Sequence, residues 1–414
     1  MTHLLPQAEI TDLTEDDDGS YLGQPRADII RREVMHKLLA DKFLCDQMSD
    51  GQVFRCDTDD QHLLSYMPQL ECLYASLMTN DDPPVEATFV RWAQRPGFKL
   101  TKLGKQIVFA CNFFAEREAE GRNWQVAYAH HQFHPVIAVM FRAVVRWWSP
   151  IHGWGDPTQA MIDCAPEAES VHALRQLMEY VRRVCRSQAF QNLLHDHERK
   201  ANDNFRSGCD YIAEQFKRHA RMLVLRIDLY FRPDTKSWGY TTAADLAVIN
   251  YLRSLRLGRL VPGYLGFIIK RDNGIRRGMH YHLMVLLDGH LRRNAYHLTR
   301  IMGEAWMKRV GTDKGSYFNC YAKKSRFRHN GLGLVHVSDM EKLIGIRIAL
   351  WYMSNQESEL KVDDSKVKNF WRSWKVKVDS NRGAHRKNGD GIGLVTRLLG
   401  GVRGSTVLES TMTL

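Results

Sequence analysis

The chain lacks the cysteine spacing that marks a zinc ribbon or a disulfide framework. Its eight cysteines are scattered over 414 residues, and no two of them form a Cys-x-x-Cys pair. Closely spaced cysteines supply the ligands of structural zinc sites and the bridges of small secreted domains. We therefore expect free thiols in a reducing interior.

No segment has the composition of a targeting peptide or the length of a membrane span. The first residues have no basic region followed by an apolar core, and they lead into an acidic run at residues 15–18. The longest apolar run, Pro135 to Trp148, contains Arg142 and Arg146 and is too short to cross a bilayer. We expect a cytoplasmic protein with no membrane partner.

Basic side chains are in excess only in the second half of the chain. Residues 1–200 contain 21 Lys and Arg against 28 Asp and Glu, whereas residues 201–414 contain 37 against 19, which gives the net charge of +11. An excess of this kind attracts a polyanion. We find no basic amphipathic helix of the membrane-binding type there, so nucleic acid is the favoured partner. The alternative is that the charge only keeps the protein in solution.

The first part of the chain has a helical pattern. Apolar residues recur at three-and-four spacing in five segments, which are residues 29–43, 63–78, 104–117, 124–147 and 171–185. Pro135 is expected to kink or split the fourth segment. Glycine and proline at residues 153–157 and 165–166 mark a boundary. We predict a helical N-terminal domain over residues 1–165, for docking to a DNA origin or binding a partner.

Beyond about residue 220 the apolar period changes to two, which is typical of strands. Strands, helices and turn signals alternate in the order β-α-β-β-α-β-α, with an Asn-Gly turn signal at Asn273-Gly274. This order predicts an α+β fold with a central antiparallel sheet of the split βαβ, ferredoxin/RRM-like kind. We place this domain at residues 166–375, with its core at 221–357. A basic tail, expected to be mobile, follows at 376–414.

Two histidines flank one bulky residue in His280-Tyr281-His282, within the β-prone run from Gly278 to Leu287. On a strand both imidazoles leave the same face, and Tyr281 points the other way. Two such imidazoles suit a divalent cation, which can drive phosphodiester chemistry. The alternative is a pair of polar residues on a half-exposed strand.

Asp228 is the candidate for a third metal ligand. It lies on the strand expected beside the histidine strand, and its register matches the face of His280 and His282. A carboxylate with two imidazoles suits Mg²⁺ or Mn²⁺ better than zinc. Alternatively, Asp228 pairs with Arg226 on an exposed face.

Four segments carry a resemblance to a known family: residues 221–229, 278–283, 315–320 and 349–353. Over roughly residues 206–365 the chain resembles the HUH endonucleases that start rolling-circle replication. More narrowly, it is similar to the inovirus replication proteins (gene II protein-like) and the YagK/YfjJ C-terminal domain group. The resemblance implies that two histidines and one further polar residue hold a divalent cation. It also implies that a tyrosine on a helix attacks single-stranded DNA, leaving a 5′-phosphotyrosine and a free 3′-hydroxyl.

Tyr352 is the first candidate for this nucleophile, because it lies on the last helix, where the family has its tyrosine. HUH motifs often read Tyr-x-x-Lys, and here the lysine position holds Asn355; Arg347 or Lys361 are candidates to replace that charge. The second candidate is Tyr321, which has the lysine spacing but lies in a predicted strand or loop. For either tyrosine the alternative is an ordinary aromatic at the edge of the core.

Basic residues alternate with aromatic ones in two stretches, residues 317–329 and 366–375. Cations neutralise phosphates, and aromatic rings stack on unpaired bases. The predicted DNA contacts are Arg226, Lys323, Lys324, Arg326, Arg328, Lys368 and Arg372. A surface loop and a solvated helix are the alternatives.

The sequence thus predicts a metal-dependent enzyme that nicks and joins single-stranded or origin DNA of a phage or mobile element in a bacterial host cell. Host replication proteins are further expected partners. An alternative is a DNA-binding regulator or accessory factor that keeps the fold without activity, which the Asn355 departure favours. An RNA-binding module would need exposed aromatic residues on the central strands. Histidine, arginine and aspartate are predicted there instead, so it ranks last.

Overall fold

A computed structural model describes the backbone of most of the chain and shows a mixed architecture of helices and antiparallel sheets. The described residues are 45–49, 52–56, 61–90, 95–119, 131–151, 169–231, 242–274, 278–326, 329–355, 360–362, 368–374 and 390–400. The α+β class predicted from the sequence is confirmed at this level.

The first part of the chain combines helices with short strand pairs. Its helices are α1 (Gln61–Thr79), α2 (Lys102–Ala119), α3 (Pro135–Ile151) and α4 (Glu169–Cys185). Its strands are β1 (Cys45–Ser49), β2 (Gln52–Cys56), β3 (Val85–Val90), β4 (Arg95–Leu100) and β5 (His131–Phe133). The strands β1 and β2 pair with each other, as do β3 and β4. Three of the predicted helices, those at 63–78, 104–117 and 171–185, occur nearly as expected, whereas the short strand pairs of this part were not predicted. The predicted helix at 29–43 lies outside the described residues.

The predicted helix at 124–147 begins only at Pro135. Proline is well suited to the first position of a helix, because its missing N–H has no partner to lose there. Just before it, β5 pairs with β11 (Leu360–Val362), a strand more than 200 residues further along the chain. Arg142 and Arg146 are exposed on α3. Among the described helices, none combines the length and the apolar character needed to span a membrane.

Helix α5 (Gln188–Arg218) connects two separate hydrophobic cores. Phe190, near its start, belongs to the core formed by α1 to α4, whereas Phe205 and Phe216 belong to the next core. Helix α4 packs in the first core through Leu174 and Leu177. The change of core thus falls inside α5, later than the boundary predicted at residue 165.

The second part is built on one antiparallel sheet. Its strands are β6 (Arg221–Phe231), β7 (Tyr264–Gly274), β8 (Gly278–Asp288), β9 (Gly315–Asn319), β10 (Gly333–His336) and β12 (Phe370–Arg372). Strand β8 lies between β6 and β7, and β12 extends the sheet beyond β7. At the other side of β6, β10 pairs with its first half and β9 with its second half. Between the strands lie α6 (Thr242–Arg256), α7 (Ala295–Val310), a 3₁₀ helix (Cys320–Arg326) and α8 (Met340–Asn355).

The two faces of this sheet are covered by different helices. Leu225, Ile227 and Leu283 on one face belong to the core that includes residues of α6 and α7. Val224 and Met284 on the opposite face belong to the core that includes residues of α5 and α8. This alternation is the period-two pattern read from the sequence, with both sides apolar because both sides are covered.

The tail predicted from residue 376 contains an ordered element. Helix α9 (Asp390–Leu399) packs against the α5 and α8 side of the sheet through Val395, Leu398 and Leu399. The predicted tail therefore contains a packed helix at residues 390–399. This helix is a short amphipathic segment within a stretch that is otherwise rich in glycine and basic residues.

Candidate metal centre

The two histidines of β8 project from the sheet face that carries α5 and α8. Strand register sets Asp228 opposite His282 and Tyr230 opposite His280 on β6. On the other side, β7 sets Lys270 opposite His282 and Asp272 opposite His280. Residues directly opposite each other in an antiparallel pair point to the same face. Six polar side chains of three strands therefore share one patch, where the apolar face gives way to a polar end.

A group of three potential metal ligands is buried in this patch. Asp272, His280 and His282 each offer one ligand atom, and these atoms lie within 4.8 Å of one another. Asp272 Oδ2 lies 3.6 Å from His280 Nε2 and 3.9 Å from His282 Nε2. Each of the three residues is at most 3 % exposed. Among the residues that the structure describes, this is the group that could hold a metal ion.

Asp228 contacts His282 through the other ring nitrogen. Its Oδ1 lies 2.7 Å from His282 Nδ1, and its Oδ2 accepts a hydrogen bond of 3.3 Å from the Tyr230 hydroxyl. A carboxylate only accepts, so His282 Nδ1 carries the hydrogen of this contact, and in the neutral imidazole Nε2, which faces Asp272, is the atom that can bind a metal ion. Asp228 was predicted as the third ligand. In the structure it lies at the site, but the aspartate beside the Nε2 atoms of both histidines is Asp272.

The electrostatics of the patch favour a positive charge at His282. Burial by itself lowers the pKa of this imidazole, but the charge of Asp228 and hydrogen bonds to Asp228 and Asp272 outweigh burial, so the pKa is raised above its ordinary value. The nearby Arg226 guanidinium opposes this rise only in part. A site that favours a proton in this way also favours a bound cation.

Tyr352 lies beside the histidines. Its ring centre is 6.4 Å from that of His282, with the two planes nearly perpendicular, and its side chain is half-buried on α8. Two glycines allow α8 to approach this closely. A Cβ on Gly345 would overlap the Gly331 nitrogen, and a Cβ on Gly331 would overlap the Ile346 nitrogen. The helix therefore packs directly on the backbone of the segment that precedes β10.

Tyr321 has different neighbours. Lys324 Nζ donates a hydrogen bond of 3.2 Å to the Tyr321 hydroxyl and lies 4.5 Å from its ring centre. The ring also faces Gly333, which pairs with Val224 on β6. Val224 is four residues from Asp228, or about 13 Å along the strand. Of the two candidate tyrosines, Tyr352 is therefore the one beside the three potential ligands Asp272, His280 and His282.

The predicted DNA contacts differ in accessibility. Arg226 is 7 % exposed and lies inside the patch. Arg372 is half-buried, donates to Ser207 Oγ at 2.9 Å and covers the Tyr211 ring on α5. Lys324 and Lys368 are exposed. Lys323 and Arg326 lie in the 3₁₀ helix with side chains outside the described part, and Arg328 lies outside it altogether.

Sequence reasoning missed Asp272 and Lys270. In the sequence they lie just before the Asn273-Gly274 turn signal, whereas β7 continues to Gly274 and keeps its alternation through them. Lys270 is almost fully buried next to His282. The signal was the spacing of Lys270 and Asp272, which is the same as that of His280 and His282.

Comparisons of the chain with protein-family models, with curated proteins and with solved structures return no match.

Proposed function

We propose that this protein is a metal-dependent nicking and joining enzyme for single-stranded DNA, of the HUH type that the sequence resembles. The observation that carries the proposal is the meeting of three buried ligands with a tyrosine from a distant helix. Asp272, His280 and His282 share one sheet face, and the Tyr352 ring stands 6.4 Å from the ring of His282. Only such a convergence places a nucleophile beside a bound phosphate.

The donor set fits Mg²⁺ or Mn²⁺. The carboxylate is a ligand that both ions prefer, whereas the two imidazoles are typical of transition-metal sites and so favour Mn²⁺ over Mg²⁺. Ligand atoms bound to one ion at about 2.1 Å lie roughly 3 Å apart. The separations of 3.6 and 3.9 Å from Asp272 Oδ2 to the two Nε2 atoms are close to this spacing. When bound, the cation would supply Lewis-acid stabilisation of charge on the phosphate oxygens.

The fold supports the same proposal. Strands β6 to β9 and helices α6 and α7 follow the order β-α-β-β-α-β, with the strands arranged as β9-β6-β8-β7. We interpret this as the split βαβ, ferredoxin/RRM-like arrangement. The histidine pair then lies on a central strand, and α8 brings the tyrosine to the same face.

In the proposed reaction, the Tyr352 oxygen forms a bond to phosphorus while the bond from phosphorus to the 3′ oxygen breaks. The phenol loses its proton, and the departing 3′ oxygen takes one up to become a hydroxyl. The covalent bond stores the energy of the phosphodiester, so joining runs the same steps in reverse. Asp228 would hold the His282 ring, and the exposed Lys324 and Lys368 would guide the strand.

The proposed setting is the start of rolling-circle replication of a phage or mobile element in the cytoplasm of a bacterial host, with host replication proteins as further partners. Purified protein should be incubated with Mn²⁺ and a randomised single-stranded DNA library labelled at its 3′ ends. The expected result is label that stays on the protein in detergent, and that is lost in Tyr352→Phe and in His280→Ala. Binding of DNA with no covalent product, with or without Mn²⁺, would instead identify the inactive DNA-binding regulator.

A further inference from the structure

Arg226 contacts the candidate nucleophile Tyr352 as well as His282 and Asp228. Its guanidinium carbon is 5.0 Å from the centre of the Tyr352 ring, on the face of that ring. Its Nε lies 3.7 Å from Asp228 Oδ1, and its Nη2 lies 3.5 Å from His282 Nδ1. One buried cation therefore contacts the tyrosine, the histidine and the aspartate that orients this histidine.

From these contacts we infer that Arg226 is the positioning residue of Tyr352 and supplies the positive charge that assists the tyrosine. This inference rests on the proposed function. The position where a lysine would be expected holds Asn355, and its Nδ2 donates a hydrogen bond of 2.9 Å to the Trp351 carbonyl of its own helix. An amide used in this way supplies no charge to the phenol oxygen. Arg226 contacts the ring of the same tyrosine from strand β6.

The other cations named for this role have different positions. Arg347 precedes Tyr352 by five residues on α8, which turns it about 140° away around the helix. It is buried beside Cys209, and burial lowers its pKa. Lys361 has a side chain outside the described part of the chain. The contact of its guanidinium with the Tyr352 ring therefore favours Arg226 for this role.

A guanidinium over the Tyr352 ring suits both cleavage and joining of the DNA strand. A guanidinium stays charged when buried and stacks well on an aromatic face. Negative charge grows on the phenol as it loses its proton before attack on phosphorus, and it grows again when the tyrosine departs during joining. Charge on the oxygen spreads into the ring, so a cation over that ring stabilises both states. Asp228 holds the guanidinium in place at the same time.

The test is the rate at which adduct forms under saturating single-stranded DNA and Mn²⁺, compared among variants. Arg226→Met keeps an unbranched apolar stem and removes the charge, whereas Arg226→Lys keeps a charge. We expect Arg226→Met to slow both adduct formation and rejoining by about 100-fold, the loss typical of one preorganised charge. Arg226→Lys should recover at least part of both rates. The affinities for Mn²⁺ and for DNA should change much less than the rates.

A matched control is Arg300→Met on α7, an exposed arginine paired with Glu304 at 3.2 Å. It should leave all four quantities unchanged. Adduct formed by wild type and by Arg226→Met at equal rates would overturn this inference and leave the proposed function standing. The inference would also fall if the methionine and lysine variants were equally slow and both lost Mn²⁺ binding, because the role would then be structural. No adduct with wild type would overturn the proposed function itself.

Discussion

Asp228 and His282 face each other across two paired central strands, and Asp228 Oδ1 lies 2.7 Å from His282 Nδ1. This contact fixes the tautomer of the imidazole and turns Nε2 towards Asp272 and His280. Carboxylates that hold a metal-binding histidine in this way raise its basicity and set its orientation. The two aspartates therefore have different positions in one site. Asp272 lies beside both Nε2 atoms, whereas Asp228 contacts Nδ1 on the other side of the His282 ring.

The different positions of these aspartates predict different losses of metal affinity. Asp272→Asn removes a charged ligand, and we expect Mn²⁺ binding measured by calorimetry to weaken by more than 100-fold, beyond the roughly 10–100-fold typical of a lost orienting partner. Asp228→Asn should stay within that smaller range. The control is Asp245→Asn, because Asp245 accepts a hydrogen bond from Tyr281 on the opposite face of the sheet. Equal losses for Asp228 and Asp272 would contradict this assignment.

The two candidate tyrosines should separate in the same covalent assay. Tyr352→Phe should abolish the adduct while leaving Mn²⁺ binding within a few-fold of wild type, because the hydroxyl lost is the nucleophile and not a ligand. Tyr321→Phe removes only the hydrogen bond from Lys324, worth about 1 kcal/mol at most, and should keep the adduct. Mass spectrometry of the DNA-linked peptide identifies the residue directly. A linked peptide containing Tyr321 would reverse the assignment.

The strands and helices of the second part were largely predictable, because apolar period and turn residues are local signals. The first five elements of the predicted order, β-α-β-β-α, are β6, α6, β7, β8 and α7. The pairing of β5 with β11 was not predictable, since neither three-residue strand has a pattern of its own. Their contact depends on two segments far apart in sequence.

The site was predictable only in part. His280, His282 and Asp228 share a face because strand periodicity and the order of strands require it. Asp272 was missed because it directly precedes the Asn273-Gly274 turn signal and was counted with the connection, whereas β7 continues to Gly274. Arg226 was predicted as a DNA contact, whereas the structure buries it. Its burial follows from the packing of α8 over the sheet, which the sequence of β6 does not specify.

The close packing of α8 predicts that one methyl group will disturb the site. Gly345→Ala would force the added Cβ into the Gly331 backbone, and we expect a loss of about 1–3 kcal/mol in unfolding free energy. Because α8 carries Tyr352, the rate of adduct formation should fall as well. Urea denaturation measures the first effect, and the covalent assay measures the second.

The control for this substitution is Gly393→Ala on α9. A Cβ at Gly393 would meet nothing within 4 Å, so alanine should stabilise that helix by up to about 1 kcal/mol. Equal stability of the two alanine variants would mean that α8 has room to move.

The two hydrophobic cores predict two classes of protected thiol. Cys111 lies in the first core and Cys209 in the second, and burial raises the pKa of each to about 12. Because the thiolate is the reactive form, neither should be alkylated at pH 8 in the folded protein, whereas the exposed Cys72 should react. Alkylation in rising urea, followed by peptide mass spectrometry, reports each core separately. Release of Cys111 and Cys209 at different urea concentrations would show that the cores unfold independently, as expected if they are joined mainly through α5. Rapid labelling of Cys209 without urea would contradict the packing of α5 against the sheet that carries the metal group.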